Sequence, residues 1–392
     1  MPTNLALPRI MRVGGGALAE TGGVLKALGL SKPLIVTDPF LEQQGTAARL
    51  KALLEQAGIA TRTFARVVPD PTTTSVGEAL AFLQAGDHDS VIGLGGGSPI
   101  DTAKAIAVLT VTGGEMRALR APHQQDEAGL PIVAIPTTAG TGSEATRFTI
   151  ITDEASNEKM LCIGLAYLPI AAIVDFELTL SMPKRLTADT GVDALTHAIE
   201  AYVSRRANPF TDDLSLIAMR AIWENIRTVY GDPADRGARE RMMLGATQAG
   251  IAFSNSSVAL VHGMSRPIGA FFHIAHGLSN AMLLPTATAY SAEAAVERYA
   301  DCARVLGLAK TGESNDAAAR RLVEALYVLN ADLEVPSPQR LSIDERRWNE
   351  VKETMALQAL ASGSPGNNPR VPSAEEIVHL YDAVWNATRV RL

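Results

Sequence analysis

The stretch SVIGLGGGSPIDTAKAIAV, residues 90–108, is the most informative segment for the structure of the amino-terminal half. Its first residues, SVIGL, are mostly apolar and predict a short buried strand. An apolar pattern at spacings of three and four then predicts a helix over residues 100–110. The residues between them are Gly95, Gly96 and Gly97. A strand that leads through a short turn into a helix is the repeating unit of a parallel sheet covered by helices.

The rest of this half repeats the unit. Short strand-like runs bounded by Gly, Pro or Asp occur at 34–38, 61–68, 131–137, 146–152 and 170–175. Helical patterns lie between several of them, at 41–57 and 76–84. We therefore predict an α/β domain with a mostly parallel, Rossmann-like sheet.

The strand signal ends after Met182 and Pro183. Helical periodicity alone follows, at 190–204, 210–229, 236–253, 256–272, 291–306, 315–330, 344–361 and 374–387. We predict an α/β domain over residues 1–183 and an all-helical domain over residues 184–392.

Composition excludes several classes of protein. The 392 residues carry 35 Lys and Arg against 42 Asp and Glu, a net charge of −7, which argues against nucleic acid as a partner. Cys162 and Cys302 are the only cysteines, too few for a disulfide framework, and they favour a reducing compartment. No segment resembles a signal peptide or a membrane span. We expect a cytoplasmic protein without a membrane partner.

The glycine-rich turn has two interpretations. Glycines at a helix N-terminus allow backbone N–H groups to approach a phosphate or pyrophosphate. Alternatively, Ser98 as N-cap, Pro99 as first helical residue and Asp101 three residues after the cap only begin a helix. The turn is not GxGxxG, so the standard dinucleotide fingerprint is absent.

Two further features lie where predicted strands end. The polar loop PTTAGTGSE, residues 136–144, follows the strand PIVAI, and open α/β sheets bind ligands at this edge. Asp38 also ends a strand, where a carboxylate can hold a ribose 2′-hydroxyl and repel a 2′-phosphate, which favours NAD over NADP. The alternative for Asp38 is a turn residue beside Pro39.

The helical half carries possible metal ligands. Asp193 and His197, four residues apart in GVDALTHAIEAY, lie on one face of a helix. The stretch LVHGMSRPIGAFFHIAHGLSNAMLLP contains His262, His273 and His276, three of the seven histidines. One carboxylate and three imidazoles suit Zn²⁺ or Fe²⁺ rather than Ca²⁺ or Mg²⁺. His262 and His276 complete this set with a position open for substrate, and His273 is the competing candidate.

Four segments together, GGGSPIDTAK, PTTAGTGSE, GVDALTHAIEAY and HGMSRPIGAFFHIAHG, resemble the iron-containing (group III) alcohol dehydrogenase family. The resemblance extends over essentially the whole chain. It implies a dehydroquinate-synthase-like architecture, with an amino-terminal dinucleotide-binding domain and a carboxyl-terminal helical domain that holds a catalytic Fe²⁺ or Zn²⁺.

The resemblance also implies roles for individual residues. The positions that match the family's metal ligands are Asp193, His197, His262 and His276. Those that match its pyrophosphate turn are Gly95, Gly96, Gly97, Ser98 and Asp101. Those in its second cofactor loop are Thr137, Thr138 and Thr141, and Asp38 matches the acid associated with NAD preference. Residues in or near stretches that approach the cofactor in relatives are Lys159, Leu178 and Phe253.

Arg266 departs from the family pattern. Many relatives carry a histidine four residues after the third metal ligand, and a guanidinium cannot relay a proton as imidazole can. Two interpretations stay open: a structural salt bridge to an acid of the helical domain, or a contact with an anionic group of the substrate.

We therefore predict an NAD-linked, metal-dependent alcohol dehydrogenase or aldehyde reductase that acts on short-chain alcohols, with anionic ones among the candidates. We expect it to assemble as a homo-oligomer, a dimer or larger. The alternatives are a polyol dehydrogenase or a dehydroquinate-synthase-like lyase of the same fold. A binding module without catalysis is the alternative from another class.

Overall fold

A computed structural model describes residues 3–387 and residue 389. The chain divides into two compact units, residues 1–181 and 182–392. Each unit is described by itself below. In the described part of the chain, no helix combines the length and the apolar character that a membrane span requires.

The first unit combines strands with short helices. Its strands are β1 (Ile10–Val13), β2 (Pro33–Val36), β3 (Arg62–Phe64), β4 (Ser90–Gly95), β5 (Ile132–Pro136), β6 (Phe148–Asp153), β7 (Glu158–Ile163) and β8 (Ala171–Val174). Its α-helices are α1 (Thr21–Ala27), α2 (Pro39–Gln43), α3 (Thr46–Gln56), α4 (Thr73–Gln84) and α5 (Gly97–Thr112). The predicted α/β class is confirmed.

Six strands form one parallel sheet in the order β1-β8-β5-β4-β2-β3. Strands β2 and β5 both pair with β4, so the loops after these three strands leave from the same edge. Alternate residues of β2 pack on opposite sides: Leu34 and Val36 join one apolar cluster, and Ile35 joins the other. Helices therefore cover both faces of the sheet.

Two local expectations were wrong, and one predicted strand lies outside the main sheet. The run at 146–152 lies in β6, which pairs with β7 in a separate antiparallel hairpin rather than in the parallel sheet. The predicted helix 41–57 is divided into α2 and α3 at Gly45, whose φ of +88° interrupts the helix. Helix α5 begins at Gly97 with Gly96 as N-cap, so Ser98 is not the cap.

The second unit is helical throughout its described residues. Its α-helices are α6 (Lys184–Val203), α7 (Pro209–Gly231), α8 (Arg236–Asn255), α9 (Leu260–Phe272), α10 (His276–Ala292), α11 (Val296–Val305), α12 (Asn315–Asp332), α13 (Glu345–Ala361) and α14 (Ala374–Trp385). The sequence pattern missed most of α10. Pro285 lies inside that helix, and proline normally disrupts a helix. The residues around it are buried, and their packing maintains the helix.

Candidate active site

Three helices of the second unit bring the expected metal ligands together. Asp193 and His197 lie on α6, His262 lies in the first turn of α9, and His276 is the first residue of α10. The four-residue spacing on α6 places its two side chains on one face, as the sequence predicts. Residues distant in the chain thus contribute to one cluster.

Asp193 is at the centre of this cluster. Its Oδ1 lies 3.5 Å from Nε2 of His262, 3.8 Å from Nε2 of His276 and 4.0 Å from Nε2 of His197. Side-chain ligand atoms of Asp193, His262 and His276 all lie within 4.8 Å of one another. The ring of His197 stacks on that of His262, with 4.4 Å between their centroids.

The chemistry of this donor set fits a divalent first-row cation. Ligand atoms about 2.1 Å from a tetrahedral ion are about 3.4 Å apart, close to the separations around Asp193. The amide Nδ2 of Asn280 lies 2.5 Å from Asp193 Oδ1 and 3.1 Å from Nε2 of both His262 and His276. Asp193 Oδ1 and the two imidazole nitrogens thus converge on one position.

The electrostatics of the cluster favour an ionised carboxylate. Burial opposes ionisation of Asp193, but the imidazoles of His197, His276 and His262 outweigh it and lower the pKa of this carboxyl well below its ordinary value. Burial opposes protonation of His262, but Glu200 and Asp193 raise its pKa. The charges of the buried Asp193 carboxylate and of the imidazoles around it therefore depend on each other.

Two aromatic neighbours differ in their relation to the cluster. Phe253 on α8 stacks on His197, with ring centroids 4.2 Å apart and planes 14° apart. His273 is exposed at the end of α9 with a left-handed backbone, φ 54° and ψ 33°. The structure brings Phe253, and not the competing candidate His273, to the cluster.

The sequence analysis missed Glu200 and Asn280. Glu200 accepts a 2.6 Å hydrogen bond from Nδ1 of His262. Its position seven residues after Asp193 and three after His197 puts it on the same face of α6, which is the signal that could have identified it. Asn280 lies four residues after His276, so the same periodicity applies on α10.

The glycine-rich turn in the first unit has the backbone expected of a close-approach site. Gly95 has a φ of +151°, and a Cβ there would lie 2.4 Å from Cγ of Pro99. A Cβ on Gly96 would lie 3.4 Å from Thr138, and one on Gly97 would lie 3.2 Å from Thr141, each measured to Cγ2. The turn therefore packs beside the second polar loop.

The threonines of that loop have different environments. The backbone N–H of Thr137 donates to the carbonyl of Gly95, which joins the loop to the turn. Oγ1 of Thr138 is buried and has no hydrogen-bond partner among the described residues. Oγ1 of Thr141 accepts from the N–H of Ser143. The buried hydroxyl of Thr138, beside glycines without Cβ atoms, fits a polar ligand such as a dinucleotide phosphate.

Asp101 does not cap α5. Its Oδ1 accepts from Oγ of Ser143 and its Oδ2 accepts from the N–H of Ile150, so it connects α5 to the second loop and to β6. Lys104, one turn later, donates to the carbonyls of Thr146 and Phe148. Burial lowers the pKa of Lys104 to about 8, although Asp101 and Glu144 oppose this shift.

Three other residues that we expected to approach the cofactor make contacts with other residues of the first unit. Asp38 caps α2, because its Oδ1 accepts from the N–H of Leu41 at 2.9 Å. Lys159 forms a 2.7 Å ion pair with Asp70. Leu178 is buried in an apolar cluster of the first unit. Asp38 thus has a local structural role as the cap of α2, which uses one of its two carboxylate oxygens.

Arg266 lies one turn after His262 on α9 and is only 6% exposed. Its Nη1 donates to Oγ of Ser364 at 3.0 Å, and its Nε has no hydrogen-bond partner within the described residues. No salt bridge to Arg266 occurs in that part of the chain. Burial lowers the pKa of Arg266 to about 10, and the charge of Glu200 opposes this shift.

Comparisons with known proteins agree with this architecture. Residues 8–176 match the family model "Iron-containing alcohol dehydrogenase", and residues 187–385 match "Fe-containing alcohol dehydrogenase family, C-terminal". The chain is 39% identical over 388 residues to lactaldehyde reductase of Escherichia coli (strain K12), covering 98% of this chain and 100% of the relative. It is 37% identical over 379 residues to NAD-dependent methanol dehydrogenase of Bacillus methanolicus, covering 96% and 98%.

Among solved structures, a crystal structure of 1,3-propanediol oxidoreductase matches with a TM-score of 0.94 at 34% identity, over 98% of this chain and 100% of the other. Sequence and structure thus agree over nearly the full length. The resemblance of the four segments is confirmed: the chain belongs to the iron-containing alcohol dehydrogenase family and is an oxidoreductase of the alcohol dehydrogenase and aldehyde reductase type.

Proposed function

We propose that this enzyme is a metal-dependent, NAD(H)-linked reductase of short aldehydes, with Asp193, His197, His262 and His276 as the metal ligands. The buried carboxylate with Nε2 atoms at 3.5 to 4.0 Å is the observation that carries this proposal. A bound Fe²⁺ or Zn²⁺ would supply Lewis acidity to a substrate oxygen, and the nicotinamide would supply or accept a hydride.

The chain's own residues would bind and orient the reactants. Backbone N–H groups at the start of α5, with Gly95, Gly96 and Gly97 and the free hydroxyl of Thr138, would hold the pyrophosphate. Phe253 would keep the ring of His197 in its plane by stacking on it. The second oxygen of Asp38 would accept from a ribose 2′-hydroxyl and repel a 2′-phosphate, which supports NAD rather than NADP.

Arg266 suggests the substrate class. A buried guanidinium that forms no salt bridge with the described residues is costly, and a substrate anion would stabilise it. Because Arg266 follows His262 by one helical turn, both side chains leave the same face of α9. We therefore include among the substrates a short aldehyde or hydroxy acid that carries a carboxylate, phosphonate or sulfonate. Ser98, Asp101, Thr137, Thr141, Lys159 and Leu178 would support the cofactor from around its site.

A polyol dehydrogenase and a dehydroquinate-synthase-like lyase are the rival functions within this fold. They differ from an aldehyde reductase in measurable ways: a lyase returns its NAD unchanged after each turnover, whereas a reductase consumes NADH. A cytoplasmic homo-oligomer stays a prediction from the sequence, and light scattering measures its assembly.

The test of the proposed function uses purified protein from cells grown with Fe²⁺ or Zn²⁺. Metal is measured by mass spectrometry, and NADH or NADPH consumption is followed with paired aldehydes that differ only in an acidic group. We expect about one metal per chain, loss of turnover with a chelator, and recovery with Fe²⁺ or Zn²⁺. Full turnover in metal-free protein would contradict the proposal.

A further inference from the structure

Glu200 is a buried carboxylate that the proposed reaction does not use. It lies on α6 and is 3% exposed, so its two oxygens need hydrogen-bond donors from the protein. The described residues supply three. Its Oε2 accepts from the N–H of Ala259 at 2.8 Å, and its Oε1 accepts from the N–H of Val261 at 2.6 Å. The third donor is Nδ1 of His262, 2.6 Å from Oε2.

The contact with His262 determines which ring nitrogen is free. Each oxygen of Glu200 already accepts a backbone N–H, so in the 2.6 Å contact with His262 the ring Nδ1 is the donor. Nε2 is then the ring atom directed at the cluster, 3.5 Å from Asp193 Oδ1. Such a carboxylate behind a histidine fixes its tautomer and ring orientation for metal binding.

The two backbone contacts hold the helix that carries this ring. Ala259 is the N-cap of α9 and its own side chain makes no capping bond. The N–H groups of Ala259 and Val261 are among the donors at the start of a helix that have no partner within the helix. Glu200 accepts a hydrogen bond from each of them. One side chain thus fixes both the first turn of α9 and the ring of His262 within it.

We propose that Glu200 is a positioning residue, which holds His262 with Nε2 directed at the metal position and so sets the metal affinity of the site. This inference rests on the proposed metal site. It concerns a residue outside the expected ligand set. It assigns this one carboxylate two roles, which are to hold the first turn of α9 and to orient the ring of His262.

The test measures metal affinity in Glu200→Gln, which keeps the shape of the side chain but places an amide N–H₂ against a donor. Metal-free protein is titrated with Zn²⁺ in competition with a chromophoric chelator, and thermal unfolding is recorded in parallel. We expect a Zn²⁺ affinity about 10- to 100-fold below that of the unchanged protein.

Asn208→Ala provides a matched control. Asn208 caps α7 of the same unit, accepting from the N–H of Thr211 and donating to the carbonyl of Asn255. Its loss should lower the unfolding temperature of metal-free protein without changing Zn²⁺ affinity. If Glu200→Gln behaves in the same way, with affinity within twofold of the unchanged protein, Glu200 only begins the helix and the inference is wrong.

A second measurement needs no variant at Glu200. Long-range ¹H–¹⁵N spectra of histidine-labelled, Zn²⁺-loaded protein should show His262 protonated at Nδ1, with Nε2 bearing no proton. A proton on Nε2 would overturn the inference even if Glu200→Gln fails to fold. If the unchanged protein binds no Zn²⁺, the proposed function fails instead, and the two failures are thus distinguishable.

Discussion

The cluster around Asp193 and the glycine-rich turn are built from different parts of the chain. The cluster consists of side chains on α6, α9 and α10, and its chemistry depends on which residue types meet there. The turn consists of backbone, and it depends on side chains being absent at Gly95, Gly96 and Gly97. A site of side chains fails when one ligand is removed, whereas a site of backbone fails when an atom is added.

The largest expected effect is on the cluster. His262→Ala removes one imidazole and frees the buried Glu200 from its ring partner. We expect metal content and turnover to fall by more than about 100-fold, since even partners behind the ligands contribute 10- to 100-fold. Mass spectrometry of the purified protein and NADH assays measure both.

His273→Ala is the control for that variant, because His273 is exposed at the end of the same helix. It should keep its metal and its activity. Equal metal content in His262→Ala and the unchanged protein would remove His262 from the ligand set.

The next largest effect is expected at Arg266, which lies on α9, the helix that also carries His262. Arg266→Met keeps much of the apolar stem and removes the charge. If the guanidinium binds a substrate anion, kcat/KM for the acidic member of each aldehyde pair should fall by roughly 100-fold, the contribution of a charged hydrogen bond. The neutral member should change little. An equal fall for both members would make Arg266 part of the scaffold.

The glycine-rich turn should respond to added atoms in a graded manner. In Gly96→Ala the new Cβ meets Thr138 at 3.4 Å, an ordinary contact, so the fold should remain while the Cβ occupies space the pyrophosphate needs. We expect KM for NADH to rise roughly tenfold, about 1.4 kcal/mol, with little change in unfolding temperature.

Gly95→Ala separates strain from ligand binding at the neighbouring position. Its φ of +151° and the 2.4 Å approach of its Cβ to Pro99 should destabilise the fold itself, by about 1–3 kcal/mol. Differential scanning calorimetry distinguishes the two variants. If Gly96→Ala leaves KM for NADH unchanged, the turn is not the phosphate site.

These two regions also show what a sequence can predict. Strand and helix patterns predicted the fold class, and spacing identified Asp193 and His197. Both depend on residue type and periodicity, which can be read directly from the sequence. The start of α5 at Gly97 was missed, because Ser98 and Pro99 carry strong capping preferences that tertiary packing overrode. Helical spacing places Glu200 on the same face of α6 as Asp193 and His197, but its contact with His262 depends on how α6 and α9 meet, which the local sequence does not specify.

Asp38 caps α2 with one carboxylate oxygen, and the proposed function gives its second oxygen a role at the cofactor. Asp38→Gly removes the charge that would repel a 2′-phosphate. The preference for NADH over NADPH should narrow by about 1 kcal/mol or more, the repulsion between charges at a partly exposed position. The ratio of kcat/KM for the two cofactors measures it.

Asp38→Asn is the companion variant, because it keeps an oxygen for the cap and loses only the charge. It should narrow the preference as Asp38→Gly does while conserving more of the unfolding temperature. An unchanged enzyme that already prefers NADPH would leave Asp38 with its capping role alone.

The smallest expected effect is on the stability of the fold. It concerns Lys104, a buried side chain on α5, the helix that follows the glycine-rich turn. Lys104 is fully buried, and its pKa lies near 8 in the folded protein against an ordinary value of 10.5. Between these values the folded state releases a proton that the unfolded chain retains, so the stability contributed by Lys104 rises as the pH increases. From pH 8 to pH 9 the rise is about 1 kcal/mol, or roughly 2–4 °C in unfolding temperature. The difference in unfolding temperature between the unchanged protein and Lys104→Met, measured at both pH values, isolates this residue from the tyrosines that titrate higher. A difference that stays constant would mean that Lys104 remains charged in the folded protein, held by the carbonyls of Thr146 and Phe148.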